Sequence, residues 1–207
     1  MSWLERIRSG APRGSIGEDP QQSAPAIVQR ASPGLAALFR GVKPDGSHSF
    51  LDFGPASNSH LNLYGPFAHQ IRFAGLVPTL PRGDDWTAAL RALPPNPEYP
   101  YDVVLTWDVL DRLDPRARPG LIQRLVELVA PGARLYAVID SSGATVRAPV
   151  RTTLVGLDRV SEQVVGPPEA AQPALLPAPV ERLLHPFTIM HAFTLRSGLR
   201  EYVAAKT

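Results

Sequence analysis

Apolar residues along this chain follow two rhythms. Short, nearly unbroken runs at Phe50-Leu51 with Phe53, at Tyr101 to Asp108 and at Ala133 to Asp140 suit strands covered on both faces. His69 to Leu76 alternates well enough for a further strand. Between these runs the apolar positions recur every three or four residues. A helix over Pro33 to Arg40 takes Ser32 as cap and stops at Gly41, and one through Ser59 to Phe67 takes Ser57 or Asn58. A short helix over Trp86 to Leu93 follows the capping pair Asp84-Asp85. A longer one starts at Asp114-Pro115, carries Leu121, Ile122, Leu125, Val126, Leu128 and Val129, and ends at Pro131-Gly132. Strands alternating with helices predict a parallel sheet joined by right-handed crossovers.

The last third changes rhythm. Arg151 to Val165 reads as extended, Gly166 to Pro179 as a proline-rich loop and Val180 to Leu184 as a short helix. Phe187 to Leu195 and Leu199 to Ala205 then form two strands turning at Ser197-Gly198, an antiparallel hairpin. At the other end, Trp3, Leu4 and Ile7 make one apolar face of a two-turn helix expected to dock on the body of the protein, with membrane-surface binding as the other reading, and Ser9 to Pro25 reads as a linker. The expected organisation is a short helix and linker over 1–25 and one α/β domain over 26–207.

Composition narrows the classes. At 207 residues with 44% hydrophobic and 19% charged side chains, the chain supports one sizeable core and excludes wholesale disorder. Its net charge is +2, and its basic residues are scattered arginines with two lysines, Lys43 and Lys206, which argues against a nucleic-acid surface. The absence of cysteine removes disulfides, thiolate metal sites and a cysteine nucleophile. Histidines at 48, 60, 69, 185 and 191 have no metal-ligand spacing, so no metal is expected. No run is long enough to span a bilayer and no signal peptide is legible, so the expected location is cytoplasmic.

The chemistry centres on Ser49 to Asn58. Asp52 falls near the carboxyl end of a buried strand, Gly54 permits a close turn, and a capped helix follows, which is the usual nucleotide cradle of an open α/β sheet. Turn geometry alone also produces such a segment. Ser141-Ser142-Gly143 has no glycine two residues before either serine, which removes a nucleophile elbow. His60, at the start of the helix, reads as a structural residue, with contact to a ligand as the other reading.

Phe50-Leu51-Asp52-Phe53-Gly54-Pro55-Ala56 resembles the first motif of the class I S-adenosylmethionine-dependent methyltransferases. Tyr101 to Asp108 with Val109 to Leu113 is similar to that family's fourth strand and following loop, Ala130 to Leu135 to its Pro-Gly approach to the fifth strand, and Leu195 to Tyr202 to its terminal hairpin. The resemblance covers about Phe39 to Lys206. It implies a Rossmann-like, mostly parallel seven-stranded sheet with helices on both faces and a C-terminal antiparallel hairpin, and S-adenosylmethionine as cofactor. It also implies methyl transfer to a small-molecule or protein acceptor.

On that resemblance, Asp52 lies near the cofactor's methionine ammonium, and Phe53, Gly54, Pro55 and Ala56 pass beneath it. Asp84 or Asp85 approaches the adenosyl group, and Trp107 and Asp108 border the acceptor. Asp108 and Asp111 are the candidate acceptor ligands or bases, with loop solvation as the other reading; Trp107 divides between pocket and core. The chain departs from the family where Ala56 and Asn58 replace glycines and where Ala74-Gly75 stand in place of a ribose-binding acid. These departures favour a second class, a methyltransferase-like module that has lost efficient catalysis and serves in binding or assembly. A nicotinamide-dependent oxidoreductase needs a glycine-rich pyrophosphate turn that Gly54 alone does not supply. Replacing Asp52 by alanine is expected to abolish cofactor binding and leave the fold intact.

Overall fold

A computed structural model of the chain describes residues 27–77, 93 and 99–207. The expected N-terminal helix and linker, and the Asp84-Asp85 cap with most of its helix, lie outside the described residues.

The first elements are β1 (Ile27–Ala31), α1 (Pro33–Arg40), β2 (His48–Asp52), α2 (Asn58–Tyr64) and β3 (Ala68–Phe73). They are followed by β4 (Tyr101–Trp107), α3 (Val109–Arg112), α4 (Arg118–Leu128) and β5 (Val129–Asp140). Then come β6 (Val146–Arg147), β7 (Val150–Gly156), β8 (Arg159–Val164), β9 (Glu169–Ala170), α5 (Pro177–Leu184), β10 (Phe187–Thr194) and β11 (Leu199–Lys206).

The main sheet has the order β10-β11-β5-β4-β2-β3, with β3, β2, β4 and β5 parallel and β11 antiparallel to both its neighbours. The terminal hairpin therefore delivers the reversed strand, as expected. The described residues form a six-stranded mixed sheet, not the seven-stranded one expected.

Helices cover both faces. Tyr64 of α2 and Phe39 of α1 stack on Phe50 with ring centroids 5.0 and 6.4 Å away, so α1 and α2 share one face. Glu201 lies on that face too, because it accepts from the Gly34 amide of α1. Lys206, five residues along β11 and so on the opposite face, donates to the carbonyls of Val126 and Val129 at the end of α4.

Local chemistry explains the helix limits. Ser32 caps α1 by accepting from the Leu35 amide, and Pro33 fills the first turn. Helix α4 stops at Leu128, earlier than expected, and β5 begins at Val129. The reason is Pro131, whose ring disfavours a helical Ala130; Gly132, at φ 78°, then absorbs a register irregularity within β5.

The largest addition to the expected architecture is a second sheet. Strands β7 and β8 divide the extended stretch into a hairpin, and β1 pairs with β8 to give the antiparallel order β1-β8-β7. A two-stranded ribbon, β6-β9, accompanies it.

Candidate functional site

Asp52 closes β2 at the carboxyl edge of the parallel strands, as the sequence implies, and it is fully buried. Its carboxylate is filled by the protein itself. Oδ1 accepts from the Gly54 amide at 2.7 Å and from Trp107 Nε1 at 2.5 Å. Oδ2 accepts from the Tyr64 hydroxyl at 2.7 Å and from His60 Nδ1 at 2.9 Å. A carboxylate offers about four lone-pair directions, so these four donors use its capacity.

Each donor is placed by a different local device. Gly54 brings its amide back onto the side chain two residues earlier, and a Cβ there would stand 3.0 Å from Asp52 Oδ1 and 3.3 Å from Trp107 Nε1. His60 and Tyr64 lie one turn apart on α2, whose start is fixed by Ser57 accepting from the His60 amide. Trp107 ends β4 with φ 52°, a left-handed backbone uncommon for a bulky residue, and its indole edge meets the ring of Tyr136. The indole also lies 5.9 Å from the His60 ring at a shallow angle of 25°.

His60 extends the network beyond the main sheet. Its Nε2 accepts from the Leu154 amide of β7 at 2.9 Å, so Nδ1 carries the proton given to Asp52 and the imidazole is neutral. Ser59 donates to the Leu154 carbonyl. The backbone of one β7 residue is thus latched to α2 from both its polar groups. Burial, followed by the neighbouring Asp52 charge, holds the Tyr64 hydroxyl well above its ordinary pKa, so it remains a donor at neutral pH.

A second buried carboxylate ties the added sheet down on the other side. Glu201 accepts from Arg30 of β1 at 2.6 Å, from Ser32 at 2.9 Å and from the Gly34 amide at 2.8 Å, while Arg30 also bonds Glu162 of β8 at 2.8 Å. Burial works against the Arg30 charge, but Glu162 and Glu201 outweigh it and raise its pKa. The space between the sheets, bordered by Trp107, Asp108, Arg30 and Glu162, is only about 30 Å³, room for a water.

The other expected site residues are dispersed. Phe53 is fully buried in the core. Pro55 and Ala56 line a separate hollow of about 310 Å³ with Ser57, His60, Val77 and the β7 residues Arg151 to Thr153. Asp108 accepts from Arg112 at 2.9 Å through Oδ2, and its Oδ1 is buried without a hydrogen-bond partner among the described residues. Asp111 is 3% exposed and sits beside Arg118, whose charge burial disfavours and Asp111 supports. Asp84 and Asp85 lie outside the described residues. Sequence reasoning missed Tyr64 and the carboxylate role of His60; their spacing of four on the helix after Asp52 was the available signal.

The fit to S-adenosylmethionine can be tested on these atoms. A ligand ammonium needs a carboxylate with a free direction, and Asp52 has none as folded. At the end of β3 the amides of Ala74 and Gly75 are spent on the carbonyls of Asp52 and Gly54, with no side-chain acceptor for a ribose at either residue. Among the described residues, then, neither the Asp52 carboxylate nor the end of β3 offers a free acceptor to the cofactor in this arrangement.

No family model and no curated protein matches the chain. Solved structures do match its fold. The Burkholderia thailandensis 1,6-didemethyltoxoflavin-N1-methyltransferase, described with bound S-adenosylhomocysteine, is 18% identical at a TM-score of 0.51, covering 84% of this chain and 77% of its own. An S-adenosylmethionine-dependent methyltransferase from Mesorhizobium loti gives 12% and 0.52, covering 84% and 96%. CalS10, an amino pentose methyltransferase from Micromonospora echinaspora described with bound S-adenosylmethionine, gives 15% and 0.51, covering 84% and 89%. S-adenosylmethionine and its product are thus the ligands seen on this fold in those neighbours. Strand order, the reversed hairpin strand and these likenesses together give the chain a class I methyltransferase-like fold.

Proposed function

We propose that this chain is a methyltransferase-like domain whose cofactor cleft is held shut by its own side chains, and that it serves in binding or assembly in place of turnover. The observation that carries the reading is the saturation of Asp52 by four donors drawn from the Gly54 turn, α2 and β4. Admitting a cofactor ammonium would mean breaking at least one of these buried, charge-assisted bonds, each worth roughly 1.5–3 kcal/mol. The same reading keeps the chain cytoplasmic; no helix among the described residues is long and apolar enough to cross a membrane.

A second reading, S-adenosylmethionine-dependent methyl transfer to a small-molecule or protein acceptor, is favoured by the hollow of about 310 Å³ beside Pro55 and Ala56. Such a volume is at the lower end of small-molecule sites. Under this reading, release of the β7 latch precedes cofactor entry. Calorimetric titration of S-adenosylmethionine into the purified chain separates the two. Absence of heat at millimolar ligand supports the closed domain, and a micromolar dissociation constant overturns it in favour of methyl transfer.

A further inference from the structure

A hollow of about 240 Å³ opens at the amino ends of β2 and β4, the reverse end of the sheet from Asp52, and is bordered by Gly41, His48, Asp102, Arg134 and the Pro131-Gly132 turn. Two of its polar groups, the Arg134 guanidinium and His48 Nε2, make no hydrogen bond among the described residues. Among the described residues the Arg134 guanidinium makes no hydrogen bond or ion pair. It rests against Gly41, where an added Cβ would fall onto the guanidinium itself. This is the carboxyl end of α1, a favourable place for a cation, yet the guanidinium bonds none of the helix carbonyls.

His48 supplies a second group without a hydrogen bond, held only at ion-pair distance from an acid. Its Nε2 is buried with no hydrogen-bond partner among the described residues and stands 3.9 Å from Asp45 Oδ1. Both nearby acids are engaged. Asp45 Oδ1 accepts from the Ser47 amide and hydroxyl, and Asp102 Oδ2 accepts from the Ser49 amide and hydroxyl. Arg40 and Lys43, both exposed, bracket Gly41 and Val42 in the chain and add positive charge.

A planar guanidinium with five unused donors beside an imidazole nitrogen is a fork suited to an oxyanion. We propose that this hollow binds a small oxyanion, a phosphate or carboxylate group, with Arg134 as the main donor and His48 Nε2 as the second. The site is independent of how the Asp52 cleft is read.

The test is calorimetry of inorganic phosphate and, separately, acetate into the full chain at low ionic strength, with the His48 imidazole followed by NMR. Saturable binding of either anion with a shifted His48 resonance is expected; saturation by phosphate identifies a phosphate group as the ligand class, and by acetate a carboxylate. Arg134→Ala should weaken it by at least about tenfold. Gly41→Ala, which keeps the charge and displaces the guanidinium, should weaken it as well. No saturable heat at millimolar anion with an unmoved His48 resonance, or equal affinity in Arg134→Ala, overturns the proposal.

Discussion

Asp52 spends its carboxylate on four donors of the protein itself. A carboxylate at the end of the first parallel strand reads as a ligand group; in the folded chain it also organises its surroundings, and removing it strands four buried donors. Asp52→Ala should therefore lower stability by about 3–5 kcal/mol, seen as a fall in the urea midpoint. An unchanged midpoint would restore the expectation that the fold is indifferent to this residue. The tyrosines bear on alkaline stability. Burial raises Tyr64 and Tyr136 well above the ordinary value of 10.0, with Asp52 and Glu201 respectively adding to it. The folded chain keeps these protons while the unfolded chain releases them, so stability is intact below about pH 10 and falls as pH rises beyond it. Thermal midpoints measured across that range should decline, with a shallower slope in Tyr64→Phe.

The decisive element is β7. Its Leu154 amide and carbonyl are both bonded to α2, through His60 and Ser59, so the strand is fixed by its backbone and its side-chain pattern gives little warning of it. The extended character of Arg151 to Val165 is readable from the sequence; its partner β1 is not, because Ile27 and Val28 remain exposed and provide no alternation for a buried face. Removing the imidazole should free the latch locally. In His60→Ala the Leu154 amide should lose hydrogen-exchange protection ahead of the Val104 and Leu135 amides of the central strands. Equal protection in variant and parent would show that β7 is held by packing alone.

For the whole molecule, the second sheet is tied to the main one through two networks centred on buried carboxylates of different strands, Asp52 by way of His60 and Glu201 by way of Arg30. Arg30 couples β1, β8 and β11, so its loss and that of Glu201 should not add. The double variant Arg30→Met, Glu201→Met should cost about 1–3 kcal/mol less than the sum of the single changes in a denaturation cycle, and strict additivity would deny the coupling. Much of this fold is legible in the chain alone. Near-continuous apolar runs determined β2, β4 and β5, the Ser32 and Pro33 pair determined the start of α1, and the Ser197-Gly198 turn with its flanking strands determined the reversed hairpin. These are local signals, since periodicity and capping act within a few residues. The state of the cleft is not local: His60, Tyr64, Trp107 and Leu154 reach it from three elements up to 102 positions from Asp52 in the numbering, and no single segment records that they converge. Sequence placed the carboxylate at the rim of the sheet; only tertiary structure decided that its lone pairs are spent inside the protein, because hydrogen-bond saturation depends on which donors the folded chain brings within reach.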